Sequence, residues 1–159
     1  MKRKWTYSLV TIFLFSVFGF YFLITKKGNN QFFKCNAEIH FEISKNKSLI
    51  EANTSLLLAS NKVAILDVKG IITKQGMDFN VERKVYFNYS RESEGGYYYF
   101  EILKEEDYAL ENSASDELFN EVMFGNKKSF YMSITPVGSG GFELSEMLFP
   151  VAICYTTRT

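Results

Sequence analysis

Residues Phe33–Ile43 read FKCNAEIHFEI: the odd positions (Phe33, Cys35, Ala37, Ile39, Phe41, Ile43) are apolar and the even positions between them (Lys34, Asn36, Glu38, His40, Glu42) are polar. Successive side chains of an extended chain point to opposite faces, so this alternation is that of a strand with one face buried and the other in water. The pattern recurs downstream. Ser44–Lys47 makes a polar turn, and second and third strands are expected over Leu49–Ser60 and Val63–Thr73, around Asn61-Lys62. Gln75-Gly76 opens the next turn, after which Met77, Phe79, Val81, Val85, Phe87 and Tyr89 share one face, interrupted by Arg83.

Arg91–Gly96 is charged and ends in Gly95-Gly96, a hairpin signal, and Tyr97–Leu103 is dense in the aromatics that suit a pleated surface. Ser115-Asp116-Glu117 precedes Leu118, Phe119, Val122 and Met123 at helical spacing, with Ser115 as N-cap and Gly125 as stop. Phe130, Met132 and Ile134 alternate before Pro136. Gly138–Gly141 reads as a flexible turn, and Pro150–Thr156 supplies a last strand. Seven strands with short turns and one short helix predict a mainly β fold, an antiparallel barrel or sandwich. An open barrel of this kind leaves strand edges that a partner chain would cover.

Upstream, WTYSLVTIFLFSVFGFYFLIT (Trp5–Thr25) runs 21 residues without a charge. About 20 apolar residues suffice for a helix to cross a hydrocarbon core, and the run is longer than the apolar part of a cleaved signal peptide. An uncleaved anchor is expected. Lys2, Arg3 and Lys4 precede it and Lys26 and Lys27 follow it, which keeps the N-terminus cytoplasmic. The expected organisation is a cytoplasmic tip (1–4), a transmembrane anchor (5–25), a linker (26–31) and an exported β-domain (32–159).

All 18 acidic residues fall in the exported domain (32–159), against 13 of the 18 Lys and Arg. The exported part is therefore acidic, which argues against nucleic acid as a partner. Cys35 and Cys154 are the two cysteines. An oxidising compartment would pair them; the alternative is two buried free thiols.

Residues for catalysis are scarce. His40 is the one histidine and sits on the polar side of its strand, so neither a zinc site nor a Cys–His nucleophile can be assembled. Glu38 with Glu42, and Glu105-Glu106-Asp107, fit a solvated face better than an acid/base pair. The Gly138–Gly141 cluster lacks the Lys-Ser/Thr of a phosphate loop. No enzyme, metal or cofactor is expected. Beyond the anchor stand 11 Phe and 8 Tyr, and a barrel lined with Phe41, Ile43, Val85, Phe87, Phe100 and Phe130 would either pack as core or hold a small apolar ligand.

The basic start and single anchor, Cys35-Asn36-Ala37 opening the first strand, Ser115-Asp116-Glu117-Leu118-Phe119 heading a late helix and Pro150-Val-Ala-Ile-Cys154 near the end together resemble the FidL-like inner-membrane proteins of enteric bacteria. That resemblance implies the smaller subunit of a paired membrane regulator, similar to the VtrA–VtrC assembly, joined to a ToxR-type transmembrane transcription factor. The two periplasmic domains would then form one lipocalin-like barrel that receives a bile salt or other amphipathic molecule. It also implies a structural Cys35–Cys154 disulfide. The expected function is thus a non-enzymatic periplasmic co-component that stabilises the regulator and helps it sense its ligand. The alternatives are a self-contained anchored carrier of hydrophobic molecules and a cell-envelope assembly factor.

Overall fold

The alternating stretches become strands that curl into a closed barrel. The computed structural model describes residues 33–43, 47–92, 96–107, 112–146 and 149–156, all within the compact unit Gln31–Thr159. The expected anchor and linker lie outside the described residues, as do 44–46 and 93–95 of two expected turns. Among the described residues no helix is long and apolar enough to cross a membrane.

The elements are β1 (Phe33–Ile43), β2 (Ser48–Leu58), β3 (Val63–Lys74), β4 (Met77–Arg91), β5 (Tyr97–Asp107), α1 (Asp116–Phe124), β6 (Ser129–Val137), β7 (Gly141–Glu146) and β8 (Phe149–Tyr155). Each strand pairs antiparallel with the next, and β8 returns to β1, closing an eight-stranded up-and-down barrel. In β1 the odd positions point inward, with Cys35, Ala37 and Ile39 buried and Lys34, Asn36, Glu38, His40 and Glu42 exposed. In β2 and β3 the inward register is even: Ile50, Leu56, Ala64, Val68 and Ile72 join the core.

Two expectations are corrected. The strands number eight, because β7 follows directly on the glycine cluster. Gly138 and Gly140 supply the turn with φ of 58° and 88°, whereas Gly141 is already buried in β7. A six-residue strand that begins on a glycine carries too little alternation to be read as one. Second, the barrel needs no partner strand for closure, since β1 and β8 of one chain meet. They do so at a single register pair, Asn36 opposite Tyr155. Beside it Cys35 and Cys154 form a disulfide, with Cα atoms 5.4 Å apart, inside the usual range.

The contact of β2 with β3 depends on Gly70, which stands opposite Ala52 in the register. A Cβ there would lie 2.6 Å from Ala52 Cβ, so the close approach of β2 and β3 requires glycine at this position.

Helix α1 covers one end of the barrel. Ser115 Oγ accepts from Leu118 N (3.2 Å), Asp116 and Glu117 face the positive end of the helix dipole, and left-handed Gly125 stops the helix as expected. The loop before it pairs with β4: Ser113 N and Ala114 N donate to Asn80 O, and Asn80 N donates to Ser113 Oγ.

Arg83, the apparent interruption of the β4 face, points inward with only 1% of its side chain exposed. Its guanidinium donates to Asp116 Oδ1 (2.7 Å) and Ala114 O (2.6 Å) and lies 4.9 Å from the centre of the Phe119 ring. Nε is 3.0 Å from Asp107 Oδ1, close enough for an ion pair, but without the alignment of a hydrogen bond. A buried charge is tolerated only when paired and hydrogen-bonded, and this one ties β4, β5 and the start of α1 together. Lys74 Nζ to Glu121 Oε2 (2.9 Å) adds a tie to β3.

Two outcomes are expected in urea denaturation. Replacing both Cys35 and Cys154 by Ala lowers the unfolding free energy by up to about 4–5 kcal/mol, the chain-entropy value for so long a loop; a loss below about 1 kcal/mol would show that closure does not depend on the disulfide. Arg83→Met costs about 3 kcal/mol, because it removes the hydrogen bonds to Ala114 O and Asp116 and the cation packed on the Phe119 ring. Asp116→Asn, at a side chain 80% exposed, costs less than about 1 kcal/mol.

Candidate functional site

Inside the barrel, between α1 and the middle of the strands, lies a cavity of about 110 Å³. Its back wall is an aromatic cluster drawn from four elements. Phe100, Phe130 and Phe124 stack in sequence, with centroid separations of 5.5 and 5.9 Å, and Phe87 meets all three edge-on at 5.8 to 6.0 Å. Offset stacks and edge-to-face contacts are the arrangements that ring quadrupoles favour. The opposite wall comes from β1 and β2, with Ile39, Phe41 and Leu56.

Of the six residues singled out from the sequence, Phe41, Phe87, Phe100 and Phe130 line this cavity. Val85 is fully buried in the core and Ile43 packs against the core, both away from the cavity. The sequence reading missed the contribution of Met123, Phe124 and Lys127, from α1 and the residues after it, and of Glu146 and Val151. Met123 was visible on the helix face with Leu118, Phe119 and Val122, whereas Phe124, the last helical residue, was not singled out. That this face looks into the barrel follows from the Arg83 contact, which joins residues 33 positions apart.

Polar atoms are few and placed. Thr54 Oγ1 donates to Ala37 O at 3.1 Å, so the interior hydroxyl is already satisfied. Lys127 Nζ and Glu146 Oε1 form an ion pair at the rim, with side chains 54% and 37% exposed. Val151, also exposed, stands beside them where β8 bulges and has separated from β1. The cavity therefore opens to solvent through a charged rim.

Its size decides what it can take. Drug-sized ligands occupy pockets of roughly 300–1,000 Å³, whereas a dry apolar cavity of about 150 Å³ accepts benzene. At its present width the cavity accommodates a group of that slender class.

The other candidates lie away from the cavity. His40 is exposed and its Nδ1 lies 2.9 Å from Glu51 Oε1, directly across the β1–β2 ladder. Glu38 and Glu42 are exposed on the same wall. Glu105 and Asp107 face Arg83. Glu106 turns outward, where hydrogen bonds first from Lys104 and then from Tyr86 hold its carboxyl below the ordinary range; the same contacts raise Lys104 and Tyr86. Among the described residues no cluster of His, Cys, Asp and Glu is arranged to hold a metal ion. No protein-family model matches this chain, and no curated protein sequence matches it either.

Phe130→Ala removes the middle ring of the stack and is expected to cost about 3 kcal/mol of unfolding free energy, while Lys127→Ala at the exposed rim changes it by less than about 0.5 kcal/mol. Equal effects in urea titrations would mean that the cluster is not packed as described.

Proposed function

We infer that this protein is a non-catalytic, membrane-anchored co-component of a ToxR-type transmembrane transcription factor, with its barrel on the periplasmic side. There it binds the regulator's periplasmic domain, stabilises it and helps it sense an amphipathic ligand. The observation that carries this reading is the outer face of β8: Ile153 (50% exposed) and Tyr155 (62% exposed) form a short apolar row in solvent, with Phe149 (76% exposed) at the start of the strand. The row borders a seam at which β1 and β8 share one register pair. An apolar row beside a thinly paired strand edge is the kind of surface that another chain covers.

Three further points support it. The disulfide suits an oxidising compartment, and the charge-free run Trp5–Thr25 suits an anchor with the N-terminus inside. The resemblance to FidL-like proteins supplies the partner class, and bile salts are the ligand example that comes with it. A ligand in the cavity would alter signalling only by binding one state of the complex better than the other. The cavity within a single chain favours, as a second reading, a self-contained carrier of hydrophobic molecules.

Co-expression of the full chain with a single-span regulator encoded beside it, followed by affinity purification and size exclusion, tests the reading. A one-to-one complex that Ile153→Asp and Tyr155→Asp weaken at least tenfold is expected. Two independent, well-folded species would move the weight to the carrier.

A further inference from the structure

Building on the ligand-sensing reading above, we propose that the ligand is a slender alkyl carboxylate whose chain end enters the barrel and whose head binds Lys127 at the rim. Three features of the cavity argue for this class.

The first is width. About 110 Å³, bordered on one wall by the packed rings of Phe87, Phe100 and Phe130, admits an unbranched chain end and excludes a fused-ring steroid, which belongs to the larger pocket class. Widening the cavity would separate rings that stack at 5.5 Å.

The second is the polarity of the interior. Thr54 has already given its hydroxyl hydrogen to Ala37 O. A hydrogen-bond acceptor carried deep into the cavity would lose its water without a donor from Thr54, at a cost, and the inner lining beside it is apolar, so the inner part of the ligand is hydrocarbon.

The third is the charge at the rim. Lys127 Nζ has three donors and uses one on Glu146, which leaves donors for a second carboxylate. It is the more exposed member of the pair. Its backbone is held just past the end of α1, where Lys127 N donates to Phe124 O at 3.1 Å and the negative end of the helix dipole favours a cation. Glu146 is then a built-in competitor for the ligand's head, and its removal strengthens binding.

The test is calorimetric titration of the full chain in nanodiscs, with empty discs as blank, using octanoate, octanol, octylamine and cholate below its micellar range. Octanoate is expected to bind more tightly than octanol and octylamine, with cholate failing to compete. Lys127→Gln should reduce octanoate to the level of octanol, a loss of about threefold to fivefold, and Glu146→Gln should tighten it by a similar factor. Tighter binding of octylamine, or no response to either substitution, overturns the role of Lys127. Cholate binding as well as octanoate overturns the argument from width. If none of the four binds, both this proposal and the ligand half of the proposed function fail, while complex formation with the regulator is judged separately by co-purification.

Discussion

The barrel is closed at its seam by the covalent bond between Cys35 and Cys154, beside a single register pair. Seven of the eight strand junctions are hairpin neighbours or, for β5 and β6, joined across α1, and each carries a ladder of five or more register pairs. The eighth junction, β1 with β8, has one. Backbone pairing is thinnest there, and every property of the interior requires the seam to stay closed. With the seam held, the inward rows of β1 to β8 face a common axis and α1 has an end to cover.

The covered end and the cavity region have different chemistry. At the covered end a buried guanidinium gathers carboxylates and a carbonyl, and these contacts specify where the helix sits as well as how firmly. Under the helix the barrel is nearly all hydrocarbon, with charge returning only at the rim. Such a division suits recognition of a molecule that is itself divided into an apolar part and a charged part.

Much of the architecture was legible because strands and helix caps are local. The alternation in Phe33–Ile43 identifies the inward residues one by one, and Ser115 and Gly125 bound the helix from neighbouring backbone geometry. β7 escaped because a short strand opening on glycine looks like the turn before it. Arg83 looked like a fault in an apolar face, since its partners Asp107, Ala114 and Asp116 come from other segments of the chain. The cavity was half legible for the same reason. Phe41, Phe87, Phe100 and Phe130 announce an aromatic interior, but whether such residues pack as dry core or border an opening depends on the helix above them. The rim pair Lys127 and Glu146 joins residues whose neighbourhood exists only after β6, β7 and α1 are assembled.

The position of the closing pair also sets an order on assembly. A chain synthesised from its N-terminus displays β1 first, and β1 can pair with β2 on one side almost at once. Its other edge waits for β8, more than a hundred residues later in the chain. During that interval the nascent sheet has a bare border, the kind of template on which chains aggregate. The outward row of β1, Lys34, Glu38, His40 and Glu42, places charged and polar groups along this border. The alternation that identifies the strand therefore has a second value, as protection for an edge that must remain unpaired until the rest of the domain has arrived.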